Sequence, residues 1–260
     1  MKLGCHAVLF KEKIKEDPDF ILKNFSEMGY RGVEIGSRFF GTEDRAFLQE
    51  KLAQYHMELS AMHVGSPLVD WLTRPKELCE QIAKVADFVS VMPNKNVLLS
   101  GNREHYEASA DAKQIAQQIN EAAKMCADKG VTLHYHNHDL EFQQDGKIYH
   151  NLAQYAPDLC FGLDLGWIYV GGMDPLQVLH EQAGRVHYVH LRDTIGVGVR
   201  DFAALGEGTL DLPKLLACAE EVVGETGWGV VEFDKGEPDM ERCRQAKRYL
   251  DAFGQQKEQR

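Results

Sequence analysis

The sequence predicts a single α/β domain over residues 1–260, closed into a (β/α)8 TIM barrel. Three observations carry that expectation. Short β-branched or apolar runs begin near Leu3, Gly32, Leu59, Phe88, Val131, Cys160, Val186 and Gly229, and eight is the strand number of such a barrel. Helical periodicity fills the intervals, so strands alternate with helices and the sheet is parallel. Side chains able to bind metal close several of the later runs, where a barrel gathers its strand ends at one mouth.

The helices follow in order. Phe20, Ile21, Phe25 and Met28 share one face behind Asp17-Pro18, a capping residue with proline in the first turn, and Gly29 stops the helix. Phe47, Leu48, Leu52 and Tyr55 make the next face, with Thr42 before Glu43 as its start signal. Ile115, Ile119, Ala122, Ala123 and Cys126 form a stripe ended by Gly130. Asp174-Pro175 opens a further helix. Asp211 before Leu212-Pro213 opens the helix of Leu215, Leu216, Ala219 and Val223, with Gly227 at its handover to the last strand. Two connections are longer, over 94–106 and 193–211, and long loops at strand carboxyl ends are where substrate contacts are built. An open doubly wound sheet fits less well, because eight units close without remainder and no GxGxxG follows the first strand.

Composition narrows the partners. A formal charge of −11 argues against nucleic acid, whose backbone is bound by clustered Lys and Arg, and points to a small molecule. The N-terminal stretch turns charged too soon for a signal segment and no apolar run approaches membrane length, so the cytoplasm is the expected compartment. Six cysteines lack CxxC pairing and read as reduced, structural residues. Oligomeric state, a homo-oligomer included, is left open.

The candidate site is built from four runs. In VTLHYHNHDLEF, strand alternation puts His134 and His136 on one face, with His138 and Glu141 beyond the strand end, and at least one of these histidines is expected to ligate. Asp164 closes FGLD among apolar neighbours, where a carboxylate is costly unless paired or metal-bound, and no helix is expected before Asp174. In VHYVHLRD, His190 is in phase with Tyr188 and Arg192, His187 alternates to the opposite face as a core or helix-facing residue, and Asp193 is placed to orient His190 or Arg192. In VVEFD, Glu232 and Asp234 are in phase and Glu232 is preferred as the ligand. Two imidazoles with two carboxylates, His136, Asp164, His190 and Glu232, suit one divalent ion of the Mn²⁺, Co²⁺, Fe²⁺ or Zn²⁺ kind rather than Ca²⁺, with Mn²⁺ preferred.

At this point the chain resembles the sugar phosphate isomerase/epimerase family, xylose-isomerase-like barrels that also include inosose dehydratase and endonuclease IV. The resemblance rests on GYRGVEIG, ELSAMHVGSP, GVTLHYHNHDLEF, FGLDLGW, RVHYVHLRD, LGEGTLDLPKLL and GVVEFD, and covers nearly the whole chain. It implies a divalent metal held by an acidic residue of the fifth strand and by Asp164, His190 and Glu232. The chain departs by reading His136-Asn137-His138 where many relatives read ENH, which looks more like the inosose dehydratase branch, and by carrying Trp167 where many have histidine. Only Glu232 is left of the two glutamates that flank the substrate in a simple epimerase.

Such a site supports enolisation beside a carbonyl, with Glu232 and His138 as the groups expected to handle the proton. His63, Glu34 and His6 are candidates for binding sugar hydroxyls, Trp167 for an apolar wall, and Arg192 with Arg200 for the substrate's far end. The expected activity is that of a metal-dependent isomerase or epimerase of a small, non-phosphorylated sugar, keto-sugar or polyol. The alternative is a lyase that dehydrates a keto-inositol or 3-keto-glycoside through the same enediolate. A carbohydrate-binding barrel without turnover is the third reading, and a repair nuclease is disfavoured by charge and by the lack of ligands for three metals.

Overall fold

Eight parallel strands pair in chain order and close when β1 (Lys2–His6) pairs with β8 (Trp228–Val231). Between them run β2 (Gly32–Gly36), β3 (Glu58–Pro67), β4 (Asn96–Asn102), β5 (Thr132–His136), β6 (Cys160–Asp164) and β7 (Val186–Leu191). The computed structural model describes residues 1–102, 111–233 and 235–258. The α-helices are α1 (Lys13–Glu16), α2 (Pro18–Glu27), α3 (Arg45–Gln54), α4 (Asp70–Thr73), α5 (Pro75–Val89), α6 (Ala112–Ala127), α7 (Gln143–Tyr155), α8 (Leu165–Val170), α9 (Pro175–Glu181), α10 (Leu212–Val223) and α11 (Met240–Glu258). Among the described residues, no helix is long and apolar enough to cross a membrane.

Local chemistry accounts for the helix starts. The Asp17 carboxylate accepts from Phe20 N at 3.1 Å, Asp174 from Leu176 N at 2.9 Å and Asp211 from Lys214 N at 3.3 Å, each with proline in the first turn. The barrel interior is filled by Ala61, Leu98, Tyr188, Trp228 and Val230, while a larger apolar layer packs the outer strand faces against the helices. The Trp228 ring needs Gly32 beside it: a Cβ there would lie 2.4 Å from the indole. Above this plug the interior positions become polar, with Gly65 paired to Ser100, Ser100 to His136, His136 to Gly162 and Asp164 to His190.

Several expectations need correction. The fourth strand does not begin near Phe88; Phe88 lies on the buried face of α5, with Leu78, Ile82, Val85, Ala86 and Val89, and the strand starts at Asn96. Thr42 does not cap α3; it begins a 3-10 turn in which the Asp44 carboxylate accepts from Gly41 N at 2.9 Å. Phe20 and Phe47 are exposed, and Ile21, Leu22, Phe25, Leu48 and Leu52 carry the packing of α2 and α3. His187 is exposed rather than covered by a helix. A helix does begin before Asp174, because Asp164 itself caps α8 by accepting from Trp167 N at 2.8 Å. Residues 103–106 of the first long connection and Asp234 lie outside the described residues. All six cysteines are free.

Candidate metal centre

His136, Asp164, His190 and Glu232 meet at the mouth with ligand atoms within 4.8 Å of one another, and all four side chains are buried. Each arrives from a different strand end: His136 closes β5, Asp164 closes β6, His190 lies one residue before the end of β7, and Glu232 follows β8. Asn137 fixes the first two against each other, donating to the Asp164 carbonyl at 3.1 Å and accepting from Asp164 N at 3.0 Å. Arg192 forks across the cluster, with Nε 2.7 Å from Asp164 Oδ2 and Nη2 2.8 Å from Glu232 Oε2. His190 bridges two carboxylates, Nδ1 to Glu232 at 2.8 Å and Nε2 to Glu34 at 2.6 Å.

The electrostatics of this cluster suit a bound cation. Burial opposes charge on His190, but Glu34 and Glu232 outweigh it and raise the imidazole to about 10. Burial pushes the Asp164 carboxyl up to about 6 against the pull of Arg192. Burial likewise opposes ionisation of Glu232 and Glu34, yet Arg192 and His190 beside the first, and His190 and His6 beside the second, hold both well below the usual carboxylate range. His136 is driven well below its ordinary value by burial and by His190, leaving a neutral imidazole whose buried Nδ1 has no hydrogen-bond partner. Three buried carboxylates face one guanidinium and the His190 imidazolium, an excess of negative charge that is costly to bury without a further cation, and a metal ion held through His190 would take the place of its proton. Two nitrogens and two carboxylates fit a first-row divalent ion.

Other expected site residues are placed as follows. His138 is half-buried on the wall of a cavity of about 400 Å³, edge-on to His136 with ring centroids 5.0 Å apart. His63, His6 and Glu232 line the same cavity. Glu34 does not: it is wholly buried, with Oε1 2.7 Å from His63 Nδ1 and Oε2 accepting from Tyr188 at 2.7 Å, so it has no oxygen to offer a sugar hydroxyl. Trp167 is wholly buried too, its ring 4.6 Å from Phe202 and under the Arg192 guanidinium, so it supports Arg192 and His138 instead of forming a substrate wall. Arg192 is spent on Asp164 and Glu232, and Arg200 pairs with Asp139 at 2.7 Å.

Asp193 orients neither His190 nor Arg192, because its oxygens accept from Thr194, Gly206, Gly208 and Leu210 N at 2.9 to 3.2 Å. Glu141 is held by the Tyr135 hydroxyl at 2.8 Å and His138 N at 2.9 Å, anchoring the turn after β5 outside the four-residue cluster. His134 lies buried deeper in the barrel, bonded to Asn96 at 3.1 Å and lowered to about 3 by burial. Sequence reasoning missed Ser100, Arg38 and Phe39 on the cavity wall. Ser100 carried a usable signal, since it closes the apolar run Val97, Leu98, Leu99.

The fold agrees with the comparisons to known proteins. An inosose dehydratase of Geobacillus kaustophilus (strain HTA426) is 25% identical over 270 aligned residues, covering 90% of this chain and 86% of that protein. A sugar phosphate isomerase/epimerase from Parabacteroides distasonis ATCC 8503 superposes with a TM-score of 0.78 at 20% identity, covering 96% of this chain and 93% of that one. The IOLI protein with a bound zinc atom superposes with a TM-score of 0.76 at 16% identity, covering 97% and 98%. The sequence pattern of one family matches residues 22–253, and the chain therefore belongs to the xylose isomerase-like TIM barrel family.

Proposed function

We propose that this protein is a divalent-metal-dependent lyase that enolises and dehydrates a keto-polyol of the keto-inositol kind. The observation that carries the reading is the buried cluster of His136, Asp164, His190 and Glu232, open on one side to the cavity that His138 lines. His136, Asp164, His190 and Glu232 would hold the ion, which would supply Lewis acidity towards a ketone. His138 is the group that takes the α-proton. It faces the cavity, whereas Glu232 is engaged by Arg192, His190 and His6. Arg192 fixes both metal-facing carboxylates, and Trp167 backs Arg192 and keeps water from it.

The dehydratase reading takes precedence over isomerisation or epimerisation for two reasons. A second glutamate opposite Glu232 is absent from the four-residue cluster, where His136 stands instead. Relatives that align over most of this chain are inosose dehydratases. The isomerase and epimerase names among the structural neighbours support the second reading, in which the enediolate is reprotonated. A neutral substrate is favoured because Arg192 and Arg200 are committed to carboxylates, leaving Arg38 as the cation on the cavity wall among the described residues.

Elemental analysis should find about one divalent ion per chain, and its removal should abolish turnover with the barrel still folded. Incubating the metal-loaded protein with keto-inositols and ketoses in D₂O should exchange an α-proton and produce new ultraviolet absorbance from an enone. Exchange with an isomeric product and no enone would favour the second reading. Failure to bind Mn²⁺, Co²⁺ or Zn²⁺ would sink the metal assignment. Binding of a sugar phosphate at least tenfold tighter than its parent sugar, lost in Arg38→Ala, would overturn the neutral-substrate assignment.

A further inference from the structure

Three side chains on consecutive strands form a hydrogen-bonded chain that the reaction described above does not use. Glu34 on β2 places Oε1 2.7 Å from His63 Nδ1, and His63 Nε2 lies 2.8 Å from the Ser100 hydroxyl on β4. Glu34 also accepts from Tyr188 at 2.7 Å and meets His190 Nε2 at 2.6 Å, so it is an ionised acceptor with no proton of its own to place. The His63 Nδ1–H must therefore point to Glu34, which leaves Nε2 as the atom that exchanges a proton with Ser100 or the cavity. His63 and Ser100 both line the cavity, while Glu34 is wholly buried. The His63 ring is stacked on His6 with centroids 5.3 Å apart and planes 9° from parallel, which fixes its tilt. None of the three belongs to the His136, Asp164, His190 and Glu232 set.

We propose that His63, oriented by Glu34 and by Ser100, is the acid that protonates the departing hydroxyl in the elimination, on the wall formed by β3 and β4. The inference rests on the dehydratase reading. Its chemistry follows from the balance of the step. His138 takes the α-proton and the C–H electron pair enters the enediolate. That pair then forms the new C=C as the β-carbon to oxygen bond breaks, and the oxygen leaves with its electrons. Hydroxide is a poor leaving group, so the oxygen needs a proton from His63 Nε2, directly or through Ser100 Oγ, and departs as water. Solvent later returns one proton to His63 and removes one from His138.

The test compares a keto-inositol with its analogue bearing fluorine at the leaving-group carbon, since fluoride departs without a proton. In His63→Gln, metal content and α-proton exchange in D₂O should stay within about threefold of wild type, while dehydration falls at least about 100-fold, the scale of a lost general acid. Fluoride release from the analogue should stay within about tenfold. Ser100→Ala keeps the imidazole and its Glu34 bond and should show the same pattern at smaller size. Equal losses for hydroxyl and fluoro substrates, or loss of exchange together with elimination, would assign His63 a structural role and overturn the proposal while the dehydratase reading stands. Unchanged dehydration in His63→Gln would overturn it as well. A wild-type protein that exchanges protons but eliminates neither group defeats the dehydratase reading, and the acid role with it.

Discussion

A guanidinium buried between two carboxylates needs its stem packed as closely as its head is paired, and at Arg192 a glycine makes that room. A Cβ on Gly166 would lie 2.5 Å from Arg192 Cγ and 3.0 Å from Cδ, so Gly166→Ala must push the side chain off Asp164 and Glu232. The expected cost is about 1–3 kcal/mol from overpacking, read as a lowered unfolding midpoint. Metal content at limiting Mn²⁺ should change with it, and an unaltered midpoint would show that the backbone yields instead. His138, proposed to take the α-proton, and Glu232, proposed to hold the ion, separate by a different measurement. His138→Ala should lose about 10² to 10⁴ in rate with the ion retained, whereas Glu232→Gln should lose both rate and ion. At this scale the sequence was most legible where a ligand-type residue closes an apolar run, as His136, Asp164, His190 and Glu232 do. Ser100 closes one too, and went unseen because the fourth strand had been placed some eight residues early.

That misplacement shows what periodicity cannot decide at the scale of an element. The FVSVM stretch from Phe88 to Met92 is apolar and β-branched enough for a strand, yet Phe88 and Val89 finish the buried stripe of α5, and a short apolar run satisfies both patterns. The strand was resolved only by tertiary pairing with Met62 to Pro67 and with β5. The connection after β7 was legible as long and glycine-rich, but its organiser was not. Asp193 gathers the backbone N–H groups of Thr194, Gly206, Gly208 and Leu210, and Gly208 is required because a Cβ would sit 2.2 Å from Asp193 Oδ1. Asp193→Ala would leave four amides without their acceptor, and should cost about 2–4 kcal/mol and expose residues 195–205 to limited proteolysis. Cleavage at the wild-type rate would mean that the loop is held by its other contacts.

Across the whole molecule, the ion pairs at the strand beginnings lie at the barrel end away from the candidate site, which allows their contribution to stability to be separated from the chemistry by mutation. The candidate metal cluster sits where the strands end. At their beginnings Glu58 draws together Lys2 of β1 at 2.9 Å, Arg31 ahead of β2 at 2.7 Å and Asn94 ahead of β4 at 2.8 Å. Partial burial raises the Glu58 carboxyl, but Lys2, Asn94 and Arg31 outweigh it and lower it to about 2 from 4.5. A carboxylate whose folded value is depressed stabilises the fold above its unfolded value and loses that contribution as the pH falls through the folded one. The stabilising effect of Glu58 should therefore be complete above about pH 5 and fade between about pH 4.5 and 2. Screening by water at this partly exposed position limits it to about 1–2 kcal/mol. Glu58→Gln should accordingly unfold at lower denaturant than wild type at pH 7, with the gap closing by about pH 2, while metal content and turnover at pH 7 stay unchanged. A gap that persists at pH 2 would trace the effect to lost packing rather than to charge, and altered turnover would show that the two ends of the barrel are coupled.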